Sequence, residues 1–423
     1  MIFKHSGISS YIGLGMAWAI FLFAIFFQPI KQHVISPIAS NFIPLHSLRE
    51  NEVKDYQHEV FGFLPHWNFD NTDAIDYEAL TTLAYFDVKI SSNGSLRKED
   101  TGYKAFISNQ ATQLFRRAHK NGVRVVLTLT MMNNSEIKAF LDNANAQQQT
   151  IDEAVDLVKR RGIDGINIDI EYDGNAGESY REKFTVFAAA LTEEMHAEVP
   201  ASKVTVSVYA SGVRYPKVQD IATLSQVTDG IFMMGYDFAV SSSEVAMPTA
   251  PLGGYKEGKY WYDISTAIED FLAVMPAEKL ILGTPWYGLN FEVYEPTFKA
   301  ETVSWYYLGR QGIIQTYYNV KKLVHPNRND ATAFKTGWDD VGQVGWKAYY
   351  TPSSGTWRMV YMDDPRSLGA KYDLAKQKGL LGVGIWAVGF EGDSTEMWDV
   401  IRKKFGTKIA DIRISQKPIY ELL

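Results

Sequence analysis

From residue 59 onward, short apolar runs alternate with helix-prone stretches. The runs cover residues 60–64, 80–86, 123–130, 165–170, 204–209, 230–234, 280–284 and 383–387. They are short enough to be strands, and β-branched and aromatic side chains recur in them. Amphipathic or helix-prone segments lie between several of them, at 103–121, 151–160, 182–196, 262–274 and 368–379. Eight such units over roughly 350 residues predict an α/β fold, a TIM (β/α)8 barrel with insertions, for which roughly 250 residues are typical and more than 400 occur. A doubly wound sheet competes, but no Gly-rich phosphate fingerprint follows the first run.

The spacing breaks once, where about 98 residues separate the seventh and eighth runs, far more than an ordinary connection needs. Aromatic stretches at 303–307, 345–350 and 357–361 look like further strands. A small α+β insertion is therefore expected over 290–362, seated on the C-terminal mouth of the barrel and deepening its cleft into a groove. Ahead of the barrel, residues 6–30 carry no charge, and some 20 apolar residues suffice to span a bilayer. A transmembrane anchor over 8–30 is expected, with 1–7 on the cytoplasmic side because Lys4 and the α-amino group precede it. A cleaved signal peptide, leaving a secreted protein, is the alternative. Residues 31–55 then form a tether, 56–405 the barrel, lying outside the cytoplasm, and 406–423 a tail.

Composition narrows the chemistry. Of the 423 residues 46% are hydrophobic and 22% charged, as in an ordinary globular protein. The net charge of −7 comes with no basic stripe, which argues against a nucleic-acid partner. The absence of cysteine excludes disulfides and cysteine metal sites, and the 8 histidines show no ligand spacing such as His-x-x-x-His. No metal and no cofactor is expected. The 10 Trp and 24 Tyr suit a site that stacks on sugar rings.

The most informative stretch is 164–171, Asp-Gly-Ile-Asn-Ile-Asp-Ile-Glu. Side chains of a strand alternate faces, so Asn167, Asp169 and Glu171 point one way and Ile166, Ile168 and Ile170 the other. A helical run at 151–160 and a turn at Arg161-Gly162 precede the stretch, as for an interior parallel strand, and a polar row there must face a pocket. Asp169 and Glu171 are then about 7 Å apart along the strand, and two acids that close drive their pKa values apart, as a general-acid/carboxylate pair requires. Barrel active sites lie at the C-terminal strand ends. There the chain places Trp67, Asp87, Tyr209, Tyr236 with Asp237, Trp286 with Tyr287, and Trp386, a gathering of aromatics and carboxylates suited to carbohydrate.

These residues carry a family resemblance. The 164–171 stretch resembles the Asp-x-x-Asp-x-Asp-x-Glu signature of glycoside hydrolase family 18, the chitinase-type barrels. Met234-Gly235-Tyr236-Asp237 resembles the family's Met-x-Tyr-Asp, and 282–288 its Leu-Gly-x-Pro-x-Tyr-Gly. Residues 361–368, followed by 382–387, resemble the approach to strand eight and its floor tryptophan. The resemblance implies hydrolysis of β-linked N-acetylhexosamine glycans, chitin- or peptidoglycan-type, with retention by substrate-assisted catalysis. It implies that Glu171 protonates the glycosidic oxygen and later activates water, while Asp169 orients the substrate's acetamido N–H. Tyr236 would bond the acetamido oxygen, with Asp237 nearby, and Trp386 would floor the site. Asn167, Trp67, Trp286, Tyr287 and Tyr209 complete the expected substrate contacts. Two departures stand out. Asn167 replaces the signature's middle acid; its amide can hydrogen-bond Asp169 but cannot share a proton with it, which implies a shifted pH profile. Strand three reads Thr128-Leu129-Thr130-Met131-Met132-Asn133-Asn134 in place of Ser-x-Gly-Gly. Both look more like the bacterial cell-wall and spore-associated branch than like true chitinases. A lectin-like binding protein on the same fold is the alternative function, and a two-carboxylate glycosidase pairing Glu171 with Asp237 or Glu391 is a third reading.

Overall fold

The computed structural model describes residues 58–303, 312–323 and 330–406. The expected anchor and tether lie outside these residues. Among the described residues no helix is long and apolar enough to cross a membrane. Seven strands come first in the chain: β1 (Glu59–Pro65), β2 (Thr82–Lys89), β3 (Arg124–Met131), β4 (Gly165–Ile170), β5 (Lys203–Tyr209), β6 (Gly230–Met234) and β7 (Leu280–Pro285). Five more follow as a block: β8 (Tyr287–Val293), β9 (Ile313–Thr316), β10 (Ala333–Asp339), β11 (Val344–Thr351) and β12 (Thr356–Met362). The last, β13 (Gly382–Trp386), returns to the first group and closes a parallel barrel in the order β1-β13-β7-β6-β5-β4-β3-β2. The eight apolar runs are these eight barrel strands.

Burial on both faces explains their apolar character. Ile166, Ile168 and Ile170 of β4 are wholly buried. Inside the barrel the aromatic rings of Phe61, Phe63 and Phe232 pack with centroids 4.8–5.5 Å apart. Phe232 fills the space left by Gly283 and Gly384, where an added Cβ would meet its ring at 2.4 and 2.1 Å. The turn expected at Arg161-Gly162 is a left-handed helix cap: Gly162, at φ +61°, ends the helix Ala144–Arg161 and hands the chain into β4. One expectation changes. The 103–121 stretch is two helices, Thr101–Phe106 and Asn109–Lys120, and the second opens where the Ser108 hydroxyl accepts the Ala111 N–H at 3.1 Å.

The long interruption after β7 is an antiparallel sheet in the order β10-β11-β12-β8-β9, with a short helix, Tyr317–Leu323. Two of the expected aromatic strands are β11 and β12. Of the third, Val303 lies outside any strand and 304–307 lie outside the described residues. The sheet begins with almost no linker: β7 ends at Pro285 and β8 starts at Tyr287. The hinge residue is stitched on both sides, Trp286 N–H to the Trp386 carbonyl at 2.7 Å and Tyr317 N–H to the Trp286 carbonyl at 2.9 Å.

Candidate active site

β4 lies between β3 and β5, so its alternation separates an outer apolar face from an inner polar one. Asn167, lowest of the row, is fully buried and spends its amide on β5. Its Oδ1 accepts from Thr205 Oγ1 at 2.8 Å, and its Nδ2 donates to Ser207 Oγ at 3.0 Å. That corrects the expected substrate contact, since Asn167 has no exposed surface to offer one, and its amide bonds β5 rather than Asp169. Asp169, one step higher, is buried, and its Oδ1 has no hydrogen-bond partner among the described residues. Burial pushes its carboxyl well above the ordinary range, and the Glu171 and Asp87 carboxylates push it further. Glu171, just past the strand, is partly exposed at the mouth. Its Oε2 accepts the Tyr209 hydroxyl at 2.5 Å. Burial raises its pKa; the Tyr209 bond opposes this, Asp237 adds to it, and Lys217 opposes it. The row thus ends in an accessible acid backed by a buried one. Asp164, at the start of the motif, serves the fold instead: its Oδ2 accepts the Val125 N–H at 2.8 Å and meets His119 Nε2 at 2.6 Å.

β6 and its loop bring the next pair. Tyr236 is almost fully buried, and among the described residues no group hydrogen-bonds its hydroxyl. Asp237 sits at φ +61°, a left-handed conformation that aspartate tolerates better than most residues. Its backbone N–H donates to Thr249 Oγ1 at 3.0 Å, and its Oδ1 accepts the Tyr287 hydroxyl. Burial raises the Asp237 pKa, and the bonds from Tyr287 and Thr249 oppose that. Tyr287, buried at 3% exposure, is therefore committed to holding Asp237 rather than free to bind a ligand. Trp386, at the end of β13, is half-buried, with its ring at the edges of Phe86 and Phe63, centroids 4.8 and 5.6 Å away. Trp67 stands on the rim, 37% exposed, edge-on to Phe86. Trp286 must be corrected. Its ring is wholly buried against Trp398, centroids 4.8 Å apart, and no ligand can stack on it. Glu391 is also wholly buried, accepting Trp398 Nε1 at 2.9 Å, so it does not face a ligand as a second carboxylate.

The structure fixes the direction of one strand-end residue, Asp87, and adds two residues that the strand ends do not reveal, Tyr215 and Trp261. Asp87, 4% exposed, accepts the Thr130 hydroxyl at 2.6 Å and lies 3.5 Å from His66 Nδ1. The loops after β5 and β6 raise Tyr215 and Trp261, each about half exposed, to a ring separation of 6.4 Å. Trp261 Nε1 donates to the Phe238 carbonyl at 2.7 Å, one residue beyond Asp237. Among the described residues no cluster of metal-ligating side chains occurs. Chemically, the arrangement offers one proton donor and acceptor at the mouth, a buried acid behind it, a free tyrosine hydroxyl and aromatic walls.

Comparisons with known proteins bear on the family and the fold. The family described as Glycosyl hydrolases family 18 matches residues 59–391. The di-N-acetylchitobiase of Mus musculus is 26% identical over 310 residues, covering 68% of this chain and 78% of its own. The cortical fragment-lytic enzyme of Bacillus anthracis is 24% identical over 322 residues, covering 73% of this chain and 65% of its own. Among solved structures, the GH18 chitinase of Cycas revoluta in complex with (GlcNAc)3 superposes with a TM-score of 0.69 at 21% identity, over 82% of this chain and 100% of that one. At that identity the likeness shows a shared fold.

Proposed function

The chain belongs to glycosyl hydrolases family 18 and is a glycosidase, and from that premise we propose that it cleaves β-linked N-acetylhexosamine glycans, chitin- or peptidoglycan-type, with retention by substrate-assisted catalysis. The observation that carries this is Glu171, partly exposed and bonded by Tyr209, in front of a buried Asp169 with an unbonded oxygen. The obvious partners for a second catalytic carboxylate are committed elsewhere, Asp237 to Tyr287 and Thr249 and Glu391 to Trp398. On this reading the nucleophile is the substrate's own 2-acetamido carbonyl, which attacks the anomeric carbon as the glycosidic bond breaks. Glu171 gives its proton to the glycosidic oxygen and, once the leaving sugar departs, takes one from the incoming water. Asp169 accepts the acetamido N–H, and the free Tyr236 hydroxyl donates to the acetamido oxygen. Trp386 supplies the apolar floor. The names of the relatives, a di-N-acetylchitobiase and a cortical fragment-lytic enzyme, support an amino-sugar glycan.

The test is to incubate the full chain with N-acetylglucosamine oligomers and purified peptidoglycan, reading product mass and anomeric configuration. The expected outcome is cleavage with the β anomer formed first, and a loss of about 10²-fold or more in kcat for Glu171→Gln. Binding without release would favour the lectin-like alternative. Equal cleavage of oligomers lacking the acetamido group would sink the substrate-assisted route. We also propose that residues 8–30 anchor the chain with its barrel outside the cytoplasm, which the uncharged run 6–30 supports. The full chain should pellet with membranes and resist alkaline extraction; its appearance in the soluble fraction would refute the anchor.

A further inference from the structure

Asp87 points into the barrel because β2 is irregular. In the β2–β3 ladder Tyr85 pairs with Leu127 and Val88 with Leu129, so Phe86 and Asp87 together oppose the single residue Thr128. Tyr85 faces outward: its hydroxyl donates to the Gly102 carbonyl at 2.6 Å, and its ring packs on Phe106 and Phe115 of the surrounding helices. Strict alternation would send Asp87 the same way. The extra residue of the bulge reverses it, the kind of re-aiming bulges perform beside active sites. Turned inward, Asp87 accepts the hydroxyl of Thr130, which is the register neighbour of Asp169 in the β3–β4 ladder. Its other oxygen faces His66, whose Nε2 lies 3.2 Å from Thr101 Oγ1 and whose side chain is 15% exposed beside Trp67.

The interior therefore holds a carboxylate on β2, while position 167 on β4, one inward step below Asp169, carries a neutral amide tied to β5. We propose that Asp87 supplies the second interior carboxylate that Asn167 does not, acting through Asp169 as a positioning residue, with His66 as its contact toward the mouth. Thr130 joins the two across the β3–β4 ladder, and the Asp87 charge adds to burial in favouring the protonated form of Asp169. The groups facing the pair are few. Glu171 faces Asp169 from its own strand, and Tyr209 and Tyr236 face it from β5 and β6. Thr130 and His66 face Asp87 from β3 and the end of β1. Lys217 and Asp237 act on Glu171 from beyond.

The inference rests on the hydrolase reading for its catalytic meaning, but its proton can be read without substrate. Four full-length proteins serve: wild type, Asp87→Asn, Asn167→Asp and the double variant. Each is assayed for kcat/KM against pH on an N-acetylglucosamine tetramer, and for unfolding free energy against pH. A buried acid with a raised folded pKa makes stability fall as pH rises through the acid range. Asp87→Asn should make that fall shallower and lower kcat by about 10- to 100-fold, and it should carry the alkaline limb of kcat/KM up by about one pH unit, because an Asp169 that ionises more readily makes Glu171 hold its proton longer. The double variant, its carboxylate moved from β2 to β4, should regain most of both. Should Asp87→Asn not fold, Asn167→Asp alone must still steepen the pH dependence of stability. Unchanged profiles in Asp87→Asn, a double variant as displaced as Asp87→Asn in both readouts, or an Asn167→Asp curve identical to wild type would each overturn the assignment. An inactive wild type with the expected stability profiles would overturn the hydrolase reading and leave the effect of Asp87 on Asp169 standing.

Discussion

Glu171 is held between opposing influences, and one bond shifts the balance. Burial raises its pKa while the 2.5 Å bond from Tyr209 stabilises the ionised form. A hydrogen bond to a charged group contributes about 1.5–3 kcal/mol. Tyr209→Phe should therefore raise the Glu171 pKa and carry the alkaline limb of kcat/KM upward by about one pH unit, because the acid keeps its proton longer. A pH–rate series on an amino-sugar oligomer checks it; a downward or absent shift would mean that the bond does not govern the acid. Glu171, Asp169 and Tyr236 were legible because period-two alternation and the strand-end rule need no knowledge of neighbours. Asp87 was visible at a strand end, but its direction depends on a bulge in the β2–β3 ladder that no local pattern announces. Trp286 and Tyr287 show the opposite error. Adjacent residues of extended chain point opposite ways, so both could not face a ligand: Tyr287 turns to Asp237 and Trp286 to Trp398.

At the scale of elements, what the sequence revealed followed burial. The barrel strands are covered by helices outside and packed against one another inside, and that leaves continuous apolar runs. β11 and β12 were legible through their aromatic residues. β10 was not, since Lys335 and Thr336 are exposed and the strand resembles a loop. β8 was hidden for another reason: Tyr287 and Gly288 close the strand-seven motif, so the first two residues of a new strand read as the end of the old one. The 103–121 segment looked like one helix because its apolar spacing continues across Ile107 and Ser108, where the chain actually breaks and restarts.

For the whole molecule, the buried acid Glu391 gives a measurable pH signature. Burial lifts its pKa to about 7 from the ordinary 4.5, against bonds from backbone N–H groups and Trp398. The folded state thus holds a proton that the unfolded state releases, so stability falls as pH rises from about 4.5 to about 7 and then levels. Glu391→Gln can keep the bond from Trp398 and should remove that component. The variant should be more stable than wild type above pH 7, by at most about 3 kcal/mol, and match it more closely near pH 4.5. Denaturant melts at several pH values test this, and curves that stay parallel across the range would refute it.

The Trp286 joint has a broader consequence. Its backbone is clamped by Trp386 on one side and Tyr317 on the other, and the next residue steadies Asp237. The second sheet is therefore tied to the barrel at its root. Whatever loosens the chain at Trp286 is one peptide bond from the hydroxyl that steadies the carboxylate beside Tyr236, so damage at the root of the sheet reaches the mouth of the barrel.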